Sequence, residues 1–251
     1  MRVANAPVSY GAFELTVGIV PGVPDAERVL DAIADAGYDG TELGPRGYLG
    51  EGELLRDRLR RRALELAGAF VEIRFGEESL DELERTLDAI DGFNAKAVLC
   101  DKGPRDGSVD LGAVSDAAEL ARGRGFEPTF HPHLGTRVQA PAEIERLLSG
   151  TDVPLLLDTG HLTGAGGDAV AAVREWGNRI NHVHLKDVRD GVFCELGAGE
   201  VDLRGVLSRL DGYRGWIVVE HDWIPKPGEN ADAQIEAQRR NRLWLREHAG
   251  L

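Results

Sequence analysis

Cysteine is scarce in this chain. Cys100 and Cys194 are the only two, too few for a disulfide framework. No apolar run approaches the ~18 residues needed to cross a bilayer, and no long basic amphipathic stretch suits a membrane surface. The opening residues MRVANAPVSY lack the apolar core of a secretory signal, so a cytoplasmic protein is expected. Positive charge is short as well: 29 Lys and Arg stand against 43 Asp and Glu, a formal charge of −14. Each phosphate contact in nucleic-acid binding needs a cation, so neither a nucleic acid nor a membrane is expected as partner. Linker-like and low-complexity stretches are missing too, and the 251 residues read as one domain spanning 1–251.

What the chain has is alternation. Short apolar or β-rich segments lie near Arg2–Ala6, Asp39–Leu43, Ala69–Phe75, Lys96–Asp101, Glu127–His131, Pro154–Asp158, Ile180–Lys186 and Gly215–Glu220. Amphipathic stretches follow them: PDAERVLDAIADAG, GELLRDRLRRRALELAG, SLDELERTLDAIDG, SVDLGAVSDAAELARGRG, APAEIERLLSG, GDAVAAVREWG, VDLRGVLSRLDG and ADAQIEAQRRNRLWLREHAG. In the third, Leu80, Leu83, Leu87 and Ile90 recur at helical spacing and define a packing face. Eight strand–helix pairs in 251 residues predict an α/β fold of the (β/α)8 TIM-barrel type, whose usual length is ~250 residues. A doubly wound sheet would more often open on a glycine-rich first turn.

In such a barrel the reacting groups stand at the C-terminal ends of the strands. Those ends carry Glu42, Asp101, Lys102, His131, His133, Asp158, His161, His184, Lys186 and Glu220. Five of the seven histidines lie at or near the ends of strands five to seven, His182 one inward step before His184. His182, His184 and Lys186 alternate and so share one strand face. His131, Asp158, His184 and Glu220 end four consecutive predicted strands, which aims two imidazoles and two carboxylates at one point. Two carboxylates held close repel unless a positive charge lies between them. A divalent ion bound by two nitrogen and two oxygen donors answers that, with positions left open for substrate. The alternative is a hydrogen-bonded network in which Lys186 supplies the charge.

The segments ELGPRGYLG, FHPHLGT, LLLDTGHLTGAGGD, INHVHLKDVRD and GWIVVEH resemble those of inosose dehydratase, within the xylose isomerase-like barrels that include sugar isomerases, epimerases and endonuclease IV. The resemblance covers most of the chain. It implies a xylose isomerase-like TIM barrel, a divalent metal (Mn2+ or Co2+ favoured, Zn2+ or Mg2+ as alternatives) and a small polyhydroxylated ketone or sugar as substrate. It carries the metal set onto the end of strand five, Asp158, His184 and Glu220, with His161 as a substrate contact. The departure is at strand five, where many epimerases and isomerases have Glu and this chain has His131. Epimerisation there is thought to use one carboxylate on each face of the substrate, and here one is missing.

The chemistry so implied is loss of water from a polyol ketone, inosose the leading candidate, through a metal-held enediolate. Glu220 is expected as base or ligand, and His133, His161 and Lys186 as candidates for donating a proton to the departing hydroxyl. Glu42 is expected to bind substrate hydroxyls or share the acid–base work, the alternative being a carboxylate tied to a loop amide. The runner-up is a metal-dependent sugar or inosose isomerase or epimerase. A sugar-binding barrel without turnover is the rival of another class, and the charge of −14 counts against nuclease action. GAGG at 164–167 and GAGE at 197–200 match no nucleotide-binding motif and are expected to be loops. RDRLRRR, 56–62, is expected to be a solvated helix face. The interval from Lys186 to Gly199, HDWIPKPG and VSYGAFELT border the predicted mouth and depart from the dehydratase pattern. Trp223, expected to be exposed, and the helix of Trp244 are candidate contacts in a homo-oligomer.

Overall fold

The computed structural model describes residues 1–226 and 228–251. Strands β1 (Arg2–Asn5), β2 (Gly40–Glu42), β3 (Glu65–Ile73), β4 (Lys96–Asp101), β5 (Glu127–His131), β6 (Leu155–Asp158), β7 (Ile180–Leu185) and β10 (Trp216–Val219) close a parallel barrel in the order β1-β10-β7-β6-β5-β4-β3-β2. The smaller strands β8 (Asp187–Arg189) and β9 (Val192–Cys194) form an antiparallel hairpin immediately after β7. Helices α1 (Ala26–Ala36), α2 (Gly52–Arg61), α3 (Asp81–Ala89), α4 (Leu111–Gly123), α5 (Pro141–Gly150), α6 (Thr159–Gly164), α7 (Ala169–Trp176), α8 (Leu203–Arg209) and α9 (Asp232–Ala249) complete the chain. The fold expected from the alternation is the one observed.

Local chemistry explains the helix starts. Asp25, Asp110, Asp168 and Asp202 each precede a helix and accept a backbone N–H of its first turn, satisfying donors that the helix itself leaves unpaired. The main core lies between sheet and helices, with Leu83, Leu87 and Ile90 buried as their spacing predicts and Leu80 packed at the edge. A second, smaller cluster of Ala4, Ala6, Ala67, Trp216 and Val218 fills the floor of the barrel. Apart from Trp216 and Val218 that cluster is built of alanine, which leaves room in the lumen for polar side chains.

Two expectations need correction. ALELAG, 63–68, continues no helix: α2 stops at Arg61, Ala63 takes a left-handed φ of 54°, and Glu65 begins β3. Leu and Ala favour helix locally, but here the segment lies between β2 and β4 and hydrogen-bonds to both, and that pairing prevails over propensity. GAGG at 164–167 is a loop only from Ala165 on, because Gly164 closes α6. The β8–β9 hairpin and the 3-10 turn Pro7–Tyr10 carry no periodic signal and were not expected. GAGE at 197–200 is a loop as expected, and Arg58 and Arg62 of RDRLRRR pair with Glu27 on α1. Among the described residues no helix is long and apolar enough to cross a membrane.

Candidate active site

The C-terminal mouth of the barrel opens on a cavity of about 460 Å3. Glu42, His131, His133, His184, Lys186 and Glu220 line it, with Phe13 and Phe70 on its walls. Asp158 and His161 are buried directly behind that lining, Asp158 Oδ2 3.7 Å from both His131 and His184 and His161 Nε2 3.1 Å from the Lys186 ammonium. The sheet register does the gathering: Asp158 pairs with His184 across β6 and β7, and Glu220 N–H follows on by donating to Leu185 O. All the residues predicted as ligands or acid–base groups therefore meet at one end of the barrel.

Asp158 shows how sequence aims a side chain. Its Oδ1 accepts the His161 N–H at 2.8 Å and caps α6, so Oδ2 is left facing the lumen, where it has no hydrogen-bond partner. Thr159 fastens the adjoining strand ends: its hydroxyl donates to Lys186 O (2.6 Å) and accepts the Lys186 N–H (2.9 Å). His131 turns Nδ1 to the Pro132 carbonyl at 2.8 Å and, as the donor there, leaves Nε2 as a lone pair 3.7 Å from Asp158 Oδ2. His184 Nε2 stands 3.1 Å from Glu42 Oε1, and its Nδ1 faces Asp158 Oδ2 at 3.7 Å and Glu220 Oε2 at 3.0 Å. That last approach is out of line for a hydrogen bond, so Nδ1 is also without a partner.

His131, Asp158 and His184 each offer a donor atom within 4.8 Å of the other two. Glu220 is not one of the trio but borders it, its Oε2 lying between His184 Nδ1 at 3.0 Å and the Lys186 ammonium at 2.9 Å. The Lys186 ammonium lies 2.9 Å from Glu220 Oε2, 3.3 Å from Asp158 Oδ2, 3.0 Å from both oxygens of Asp222 and 3.1 Å from His161 Nε2. It supplies charge to the carboxylates, as the network alternative required, yet Asp158 Oδ2 and His184 Nδ1 remain without a hydrogen bond. Buried polar atoms of that kind, two nitrogens and carboxylate oxygens together, fit a divalent cation.

Charge in this cluster is set by mutual opposition. Burial works against the Lys186 ammonium, but Asp158, Asp222 and Glu220 outweigh it and hold its pKa well above the usual lysine value. Burial likewise resists ionisation of Glu220, Asp158 and Glu42, and neighbouring groups prevail: the charges of His184 and Lys186 over Glu220, that of Lys186 over Asp158, and the charge of His184 with the hydrogen bond from His182 over Glu42. Asp222 goes the other way, raised by burial in spite of Lys186. His131 is pushed down to about 3, by burial first and then by His184, and His161 is lowered by burial and Lys186. Neutral imidazoles are what a metal ligand or a proton acceptor requires.

Several expectations about individual residues change. Glu42 is tied neither to a loop amide nor to solvent; its Oε1 sits between the Nε2 atoms of His182 (2.7 Å) and His184. His133 sets its ring 3.9 Å from that of His161, tilted by 43°, and its Nδ1 lies 2.9 Å from Leu134 O. Asp101 and Lys102, also at a strand end, stay out: Arg137 holds Asp101 at 2.7 Å and Glu78 holds Lys102 at 2.8 Å. Trp223 is half-buried rather than exposed, and Trp244 stacks on His248 within its own helix. Val8, Phe13, Glu14 and Leu15 of VSYGAFELT and Asp222 of HDWIPKPG do border the mouth; Pro227 of the latter is outside the described residues.

Two contributors escaped the sequence reading. Asp222 follows Glu220 by two positions, a spacing that could have flagged it. Phe193 had no such signal: the β8–β9 hairpin brings its ring edge-on to His161 at 5.2 Å and within 5.2 Å of the Lys186 ammonium.

Residues 30–248 match the family model described as xylose isomerase-like TIM barrel. An inosose dehydratase of Erwinia tasmaniensis is 30% identical over 274 residues, and one of Serratia proteamaculans 29%, each alignment covering 90% of both chains. A solved structure described as IOLI protein with a binding zinc atom superposes with a TM-score of 0.77 at 15% identity, covering 100% of both chains, a likeness of fold.

Proposed function

The chain belongs to the xylose isomerase-like TIM barrel family as an inosose dehydratase-like member, and we propose that it is a metal-dependent carbon–oxygen lyase that removes water from a small polyol ketone, with inosose the leading candidate. The observation that carries this reading is the adjacency of a carboxylate and an ammonium, Glu220 and Lys186 at 2.9 Å, beside metal-type donors that make no hydrogen bond. The relatives named inosose dehydratase support the substrate class, and a zinc-holding neighbour of the same fold supports the metal.

His131, Asp158, His184 and Glu220 would hold the divalent ion. When bound there, such an ion supplies Lewis acidity to a substrate carbonyl and so acidifies the adjacent C–H. Glu220 takes the carbon-bound proton. Lys186, oriented by Asp222 and His161, gives a proton to the β-hydroxyl as the C–O bond breaks, and water departs. The proton gained by Glu220 then returns across 2.9 Å to the lysine amine, which restores both groups. Base and acid adjoin, so they act from one face of the ring. Phe193 shields the pair from solvent on its hairpin side. His133 faces the same cavity, where it is assigned to substrate hydroxyls.

The test is incubation of metal-stripped protein, reloaded with Mn2+, Co2+, Zn2+ or Mg2+, with a panel of cyclic and linear polyol ketones. A product lighter by one water supports the lyase. A product of unchanged mass with an altered stereocentre or carbonyl position would replace it with an isomerase or epimerase. Binding without turnover under every metal would leave a sugar-binding barrel.

A further inference from the structure

His182 is completely buried, lies one layer below His184 and is absent from the cavity wall. Substrate contact is therefore not its role. Its Nε2 is 2.7 Å from Glu42 Oε1, and the same oxygen is 3.1 Å from His184 Nε2. An ionised carboxylate only accepts hydrogen bonds, so both ring nitrogens must carry hydrogen. For His184 this leaves Nδ1 as the nitrogen turned to Asp158 and Glu220. The three groups could themselves be taken for a metal cage, but 2.7 Å is a hydrogen-bond separation, whereas two ligands of one tetrahedral ion with bonds of ~2.0–2.1 Å stand about 3.3 Å apart.

Glu42 reaches these rings from β2 across the lumen, and β3 makes room for it. A Cβ at Gly68 would stand 2.9 Å from Glu42 Oε1, closer than such contacts allow, so glycine there leaves the carboxylate its place. We propose that Glu42 and His182 are positioning residues for the metal: Glu42 fixes the ring orientation and tautomer of His184 so that Nδ1 serves as ligand, and His182, with the gap at Gly68, holds Glu42 in place. This rests on the reading of His131, Asp158, His184 and Glu220 as a metal site. A carboxylate behind a ligating imidazole also makes the ring a better donor, and losing such a partner typically costs about 10–100-fold in metal affinity.

The experiment is calorimetric titration of Mn2+ into metal-stripped wild type, Glu42→Gln, His182→Leu, His182→Gln and Gly68→Ala, with near-UV circular dichroism as a check of fold. Glu42→Gln, His182→Leu and Gly68→Ala should each weaken Mn2+ by about tenfold or more, whereas His182→Gln, whose amide N–H can replace Nε2–H, should recover most of the affinity. Should His182→Leu fail to fold, Glu42→Gln and Gly68→Ala decide. Wild-type affinity in the folded variants, with Mn2+ bound by the parent, overturns this inference alone. A parent that binds no Mn2+, Co2+ or Zn2+ overturns both it and the metal reading.

Discussion

Lys186 carries more of this site than any other single side chain, because three carboxylates lean on one ammonium. Removing one partner from a buried ionic cluster strands the others, at a cost of about 3–5 kcal/mol. Lys186→Met should therefore lower the urea midpoint of metal-stripped protein at pH 8 and recover part of it when a divalent ion is added. Its turnover should fall by about 10²–10⁴-fold, the range for a lost general acid. The imidazoles give a pH signature of the same sign as ordinary acid denaturation, but one that begins nearer neutrality than the carboxylates would set. His131, His161 and His182 are lowered below 6.5 in the folded chain, so the unfolded chain binds more protons as pH falls below that value, and stability is lost. His184 is raised, so its contribution is complete below 6.5 and fades only above it. Between pH 7 and 5 the metal-stripped protein should thus lose stability, about 2 kcal/mol at pH 5 from His131 alone, and His131→Gln should flatten the curve of urea midpoint against pH by that amount.

At the scale of elements, the informative piece is the stretch after β7. Asp187 accepts four backbone N–H groups, from Val188, Gly197, Gly199 and Val201, at 2.9 to 3.1 Å. One carboxylate so ties loop 195–201 to the base of the hairpin that carries Phe193. Asp187→Asn keeps the shape but turns an NH2 group toward donors, and should cost about 2–3 kcal/mol, since hydrogen bonds to a charged acceptor are the stronger kind. Amides of 195–201 should then exchange faster by hydrogen–deuterium mass spectrometry while the barrel strands stay protected, and unchanged protection of the loop would refute the role given to Asp187. Sequence reading could find β4 and β5 to the residue, because apolar strands bounded by turns carry a clear pattern. It could not find the hairpin, whose three-residue strands are too short for a period, nor the first half of β3, where Leu–Glu–Leu suits helix and strand alike.

For the molecule as a whole, a bound divalent ion would link the ends of β5, β6 and β7 and the residue following β10, and its removal should be felt globally. At an ion concentration 100 times the dissociation constant, loading adds about 2.7 kcal/mol. For a chain of this length that is about 5–10 °C in melting temperature. Chelation followed by re-addition should lower and restore both melting temperature and turnover; a melting temperature indifferent to chelator would count against the site. The sequence by itself determined the eightfold alternation, the strand ends and the residues standing on them, because side-chain periodicity and capping are local properties that a chain carries wherever it goes. Only the closed barrel decided which of those ends converge. It set Asp101 against Arg137 and away from the cavity, brought Glu42 across the lumen to two imidazoles, and added Asp222 and Phe193 to Lys186. Such contacts join residues up to 142 positions apart, and distance through space is fixed by sheet register and closure, which no local pattern encodes.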